Sequence, residues 1–372
     1  MIHSPGLLFT ILAFALVIGP LVFLHELGHY LAGRLFGVKA EVFSIGFGKE
    51  VFGVTDKRGT RWKFSALPLG GYVRFAGDMN AASQPDAEWL MLPPEQRAQT
   101  FPSKPVWQRA IIVAAGPVMN FLVAIVILSG FALVVGDPGA SSVAGQITAG
   151  SAAAVAGIEE GDHITAFDGQ PVATFADMVS YVAPRPNTRT RVTFEHEGVP
   201  RTVQVTIGTR QLADRSGKAI AVGLLGINRP RISIIDAPGV GVRRTSQIVG
   251  MMAQGIGQII VGQRSVRELG GPLTIARVSG EQMALGADAF VWLIALVSIN
   301  LGFINLLPVP MLDGGHLFFY AIEAVRRKPV EPQVQEWAFR GGLAALLALM
   351  LLVTFNDLGS FGLWNNLAGL IG

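Results

Sequence analysis

The sequence predicts a polytopic α-helical membrane protein. It is expected to have four transmembrane helices, a β-hairpin region at the membrane edge and a small α+β domain inserted between the second and third spans. Three observations carry this reading. Hydrophobic residues make up 51% of 372 residues and charged residues only 15%. The mean hydropathy of +0.47 is far above that of a soluble domain. The apolar residues are also gathered into four blocks, each near the ~20 residues that a ~30 Å hydrocarbon core requires.

The blocks are Leu7 to Leu24, Ala110 to Val135, Ala289 to Val309, and Trp337 to Phe355, the last interrupted by Arg340. The first has no basic segment before it and runs into His25-Glu26 rather than a small-residue cleavage site. It is therefore expected to be a retained span, not a cleaved signal peptide. Four units follow: 1–135 holds two spans and the loop between them, 136–230 an inserted domain, 231–288 a membrane-surface tether, and 289–372 the last two spans.

Charge sets the expected orientation. Eleven Lys and Arg lie between residues 34 and 109, and Arg326, Arg327 and Lys328 lie between the last two spans. Residues 1–6 and 356–372 carry none. Basic loops stay on the cytoplasmic side, which places both termini and the long 136–288 stretch outside. The formal charge of +3 is too small for a nucleic-acid surface. The absence of Cys excludes disulfides, thiolate metal sites and thiol catalysis.

In the first basic loop, Val42 to Gly53 and Arg61 to Phe75 are Gly-rich and strand-like, consistent with a hairpin at the membrane edge. It could hold an unwound substrate strand by strand addition or serve only as structure. In the outside stretch, strands are expected at Ile164–Phe167, Thr190–Glu195 and Thr202–Ile207. A helix is expected at Phe175–Val182, with turns at Asp168-Gly169 and Glu197-Gly198. Beyond them, Val249 to Val261 is apolar but interrupted by Gln and Gly, and reads as an amphipathic helix lying on the membrane.

The chemistry sits at the inner end of the first span. His25-Glu26-Leu27-Gly28-His29 is H-E-x-x-H, whose i, i+4 spacing puts two imidazoles on one helix face with Glu26 beside them as a candidate general base. Ionisable groups are costly in an apolar helix and require a polar or metal partner. The bland alternative is a helix that ends here with its charges at the interface. A catalytic zinc takes three protein ligands and keeps one open position. Asp313, at the end of the string Asn305-Leu306-Leu307-Pro308-Val309-Pro310-Met311-Leu312-Asp313-Gly314-Gly315-His316, is the expected third ligand, with His316 as the competitor. The prolines break the helix there, and irregular backbone at membrane depth must be buried in protein or line a wet cavity. Asn120 and Asn305, amides in apolar spans, are candidates for binding the substrate backbone or a developing oxyanion, or for joining helices.

The run Ala156-Gly157-Ile158-Glu159-Glu160-Gly161-Asp162-His163-Ile164, followed by Phe167-Asp168-Gly169-Gln170-Pro171-Val172, resembles a bacterial PDZ domain, which implies docking of an extended peptide. Together with Leu67-Pro68-Leu69-Gly70-Gly71-Tyr72-Val73, Gly116-Pro117-Val118-Met119-Asn120-Phe121 and Gly271-Pro272-Leu273-Thr274-Ile275-Ala276, these motifs resemble the site-2 protease family. The resemblance covers nearly the whole chain and is to the regulator-of-sigma-E type, here with one PDZ domain where some members carry two. It implies a zinc protease of the bacterial inner membrane that cuts transmembrane segments of anti-sigma factors or remnant signal peptides. In that reading zinc is held by His25, His29 and Asp313, with Glu26 as base. A non-catalytic scaffold would not need costly intramembrane His, Glu and Asp, and a transporter would be expected to show inverted repeats.

Overall fold

The computed structural model describes residues 6–78, 89, 91–137, 139–213, 219–265 and 270–360. Both chain ends, assigned above to the outside, lie outside the described residues. The chain divides into two compact units, described separately below: Leu128–Arg243 with Met1–Ser4, and Pro5–Ile127 with Arg244–Gly372.

Among the described residues, four helices are long and apolar enough to cross a membrane. They are α1 (Leu7–Leu35), α2 (Val106–Val135), α6 (Ala287–Asn305) and α8 (Pro332–Ser360). Even the shortest, 19 residues at ~1.5 Å rise, reaches roughly 28 Å. The first helix does not stop at Leu24 but carries His25 and His29 through to Leu35 without interruption. The fourth starts five residues before the apolar block, at Pro332, because proline suits a helix's first turn.

The first basic loop forms a β-sheet made from two bent strands, β1 (Ala40–Thr55) and β2 (Arg61–Phe75). The first half of β1 pairs with both halves of β2. Phe43 faces Val73 on one side and Trp62 on the other, while Trp62 also pairs with Val54. The lateral order is therefore 71–75, 40–47, 61–65, 50–55, with 71–75 on an edge. Gly46 makes the bend, with φ of +90°. A Cβ there would also lie 2.7 Å from the Leu67 carbonyl oxygen. The sheet docks on α1 through aromatics: Phe43 stacks on Trp62 with centroids 4.3 Å apart, and Tyr30 meets Trp62 edge-on at 5.1 Å. Tyr30, Phe43, Phe75, Phe101 and Ile112 form one buried cluster, and Val17, Leu21 and Val297 join α1 to α6 in another.

The 231–288 stretch, expected as a tether, holds two helices, α4 (Ala237–Ile260) and α5 (Pro272–Leu285). The amphipathic helix expected from Val249 thus begins twelve residues earlier. The second of the two carries no periodic apolar signal in the sequence. It starts at Gly271-Pro272, and its first N–H groups are satisfied from outside the helix. Asp357 of α8 accepts from Gly271 N–H (3.2 Å), Thr274 N–H (3.1 Å) and the Thr274 hydroxyl (2.7 Å). A further helix, α7 (Asp313–Arg326), occupies what reads in sequence as a short basic link.

The smaller unit holds a four-stranded antiparallel sheet in the order β4 (Gln170–Pro171), β3 (His163–Phe167), β5 (Arg189–His196), β6 (Val199–Thr206). Helix α3 (Phe175–Val182) is fixed by a capping box in which Thr174 and Asp177 satisfy each other's backbone N–H. Ile164, Phe167, Val192, Phe194 and Ile207 fill the core. Both expected turns form, with Asp168-Gly169 and Glu197-Gly198 in the left-handed region. A second hairpin, β7 (Gly208–Ala213) with β8 (Ala219–Leu224), completes the unit.

Candidate metal centre

The residues of the H-E-x-x-H motif meet Asp313 in the larger unit. His25 and His29, one turn apart on α1, present Nε2 atoms 3.2 Å from each other. Asp313, the first residue of α7, reaches them with Oδ2 3.2 Å from His25 Nε2 and Oδ1 3.6 Å from His29 Nε2. One donor atom from each residue can be chosen so that all lie within 4.8 Å of one another. Among the described residues no other His, Asp and Glu side chains cluster in this way.

This donor set fits a zinc ion. Two imidazoles and a carboxylate leave a fourth tetrahedral position open. Asp313 Oδ2 is buried and makes no hydrogen bond despite its closeness to His25, as expected of an atom directed at a cation. His29 Nδ1 donates to the Ile112 carbonyl (2.9 Å), since a carbonyl can only accept. That fixes the tautomer and leaves the Nε2 lone pair facing His25 and Asp313.

Backbone geometry brings Asp313 to this place. After α6 ends at Asn305, Pro308 and Pro310 prevent helix continuation, and Met311 takes a left-handed φ of +81°, unusual for a non-glycine residue. Gly314 and Gly315 allow the loop to fold back against the start of α7. Their Cβ atoms would lie 2.2 Å from the Leu307 oxygen and 2.4 Å from the Val309 oxygen. On α2, Gly116 leaves the space that the imidazoles occupy.

A cavity of about 550 Å³ opens at the site. Its wall includes Glu26, Gly71, Tyr72, Asn305 and His316. Glu26 is only 8% exposed and its carboxylate accepts a hydrogen bond from the Val73 N–H on the sheet edge. His316 lies three residues into α7 but stands outside the close donor cluster, its ring 4.7 Å from that of Phe339. Asn305 borders the cavity. Asn120 is fully buried, its amide nitrogen 3.2 Å from His25 Nδ1. Sequence reasoning missed the Ile112 carbonyl and Val73 N–H, because backbone partners leave no residue-type signal. Gly116 lay within a quoted motif, but its purpose becomes visible only in the packing.

Apolar spanning helices with two histidines, a carboxylate and a neighbouring glutamate around one cavity define a multi-pass membrane metalloprotease. The chain belongs to peptidase family M50, the site-2 protease family, whose model matches residues 13–349. It is 43% identical over 360 residues to a protein of Agrobacterium fabrum named as a candidate zinc metalloprotease, covering 94% of this chain and 96% of that one. It is 37% identical over 397 residues to metalloprotease MmpA of Caulobacter vibrioides, covering 98% and 99%. Zinc is the cofactor. Among solved structures, a PDZ domain of an SdrC-like protein from Listeria monocytogenes aligns with 24% of this chain and 85% of its own, at 16% identity and a TM-score of 0.18.

Proposed function

We propose that this protein is an intramembrane protease that hydrolyses peptide bonds within transmembrane segments of membrane proteins, acting in regulated intramembrane proteolysis. Its substrates are of the anti-sigma-factor or remnant-signal-peptide type. The observation that carries the reading is the meeting of His25, His29 and Asp313 beside Glu26, on helices apolar enough to span a bilayer.

His25, His29 and Asp313 would hold the zinc, which when bound would polarise the scissile carbonyl and make a water more acidic. Glu26 accepts the proton of the attacking water and delivers it to the leaving amide nitrogen. Burial keeps bulk water away from Glu26, and the Val73 N–H holds its carboxylate beside the cavity. Asn305, at the cavity wall, is placed to donate to the substrate backbone.

A helical substrate hides its carbonyls in i to i−4 bonds and must unwind first. Residues 71–75 form a sheet edge next to Glu26, and an unwound strand could pair there. The inserted unit is a PDZ domain in this proposal, supported by its motif order and its helix-and-sheet arrangement, and docks peptides. The protein lies in the bacterial inner membrane with the inserted unit and both termini extracytoplasmic and the metal centre toward the cytoplasm.

Glu26→Gln tests the chemistry. It preserves shape but cannot accept the proton, so zinc content should persist while cleavage of a model transmembrane substrate in liposomes falls by ~10²–10⁴-fold. A Glu26→Gln protein that cleaves at wild-type rate would sink the assignment, as would wild-type cleavage that survives a strong chelator.

A further inference from the structure

Asn120, an amide expected to bind substrate or to join helices, borders the cavity and also touches the metal centre. It is fully buried, and its amide faces His25 Nδ1 at 3.2 Å. With the nitrogen on that side, Asn120 donates to Nδ1, so the His25 proton must sit on Nε2, the atom that faces Asp313 and His29. At the same time Asn120 Oδ1 is buried with no hydrogen-bond partner. The first has a remedy. The two ends of an amide are nearly equal in shape, and a half-turn exchanges them. Oδ1 then accepts from His25 Nδ1–H and the Nε2 lone pair is left free, while the amide nitrogen takes the buried place that Oδ1 had.

We propose that Asn120 is a positioning residue for the metal centre: its side-chain oxygen accepts the His25 Nδ1 proton and fixes the tautomer that presents Nε2 to the cation. The inference rests on His25 being a ligand. It gives the two histidines parallel support, since the Ile112 carbonyl accepts from His29 Nδ1 in the same manner. A neutral amide does this without adding charge to an apolar helix. The position is well defended. The Ser298 hydroxyl of α6 donates to the Asn120 backbone oxygen (2.7 Å). Gly302, one turn further along α6, allows close approach to Pro117 and Phe121 of α2.

The test uses full-length protein in detergent, stripped of metal and titrated with Co²⁺ while its d–d absorption is read. Asn120→Ala should weaken Co²⁺ binding by ~10–100-fold, the usual effect of losing a partner that orients a ligand. Asn120→Asp decides the direction of the bond, because a carboxylate can only accept. Retained affinity in Asn120→Asp, with a tetrahedral spectrum, supports the proposal, also where Asn120→Ala fails to fold. An Asn120→Asp protein that folds but binds as weakly as His25→Ala means the amide donates, and overturns it. So does an Asn120→Ala protein with wild-type Co²⁺ affinity and a raised KM, which would return Asn120 to the substrate. If His25→Ala itself binds Co²⁺ like wild type, the ligand assignment beneath the proposal has failed, an outcome distinct from the others.

Discussion

Gly116 lies against His29 so closely that a Cβ on it would fall 2.2 Å from Nε2 and 2.5 Å from Cε1, with His25 Cε1 only 2.9 Å away. The second spanning helix thus serves the site by what it omits. Gly116→Ala should displace both imidazoles and lower zinc occupancy strongly. Gly130→Ala, on the same helix with no atom within 4 Å of its Cβ position, should leave occupancy unchanged. Zinc per chain after purification, measured by mass spectrometry, reads both.

Asp313 and His316 are separable. Asp313→Ala removes the anionic member of the donor cluster and should abolish most zinc binding, whereas His316→Ala should retain it. The reverse ranking would make His316 the third ligand.

Orientation has its own test. An alkaline phosphatase fusion in the Glu197-Gly198 turn should be active, and a fusion near Asp86 should not. Opposite activities would place the inserted unit in the cytosol.

In the inserted unit, Asp168 accepts from the Arg191 N–H (2.8 Å), the Tyr181 hydroxyl (2.7 Å) and the Thr190 hydroxyl (2.9 Å). These bonds hold its carboxyl below the usual carboxylate range. A lowered folded-state pKa stabilises above the unfolded value near ~3.9, and that contribution is lost as pH falls through the folded value. Asp168→Asn keeps the left-handed turn but weakens the network. It should destabilise the unit by about 1 kcal/mol at neutral pH, a modest figure because the side chain is partly exposed. The difference should shrink as pH approaches ~3. Hydrogen exchange at the Val192 and Phe194 amides measures it, and a deficit constant with pH would refute the ionic origin.

Much of this was legible in the chain because the signals are local. Apolar block length marks the spans, the i, i+4 spacing of His25 and His29 places them on one face, and Asp168-Gly169 and Glu197-Gly198 announce their turns. What escaped depends on partners distant in sequence. The helix from Pro272 has its first turn satisfied by Asp357, almost at the end of the described chain. The helix from Asp313 follows a loop whose left-handed Met311 no residue-type preference would suggest. At the site, the motif gave His25, Glu26 and His29, but the roles of Gly116 and of the Ile112 carbonyl emerge only once α2 is laid against α1.

The loop before Asp313 is also packed from the far side: Gly342 of α8 abuts Pro310, so closely that a Cβ there would lie 2.6 Å from the proline Cβ. His25, Glu26 and His29 are therefore made early in synthesis, on the first helix, while the loop that carries Asp313 packs against the last. The constellation draws on both ends of the chain, and a nascent chain carries the histidines and glutamate long before Asp313 and the packing partner Gly342 exist.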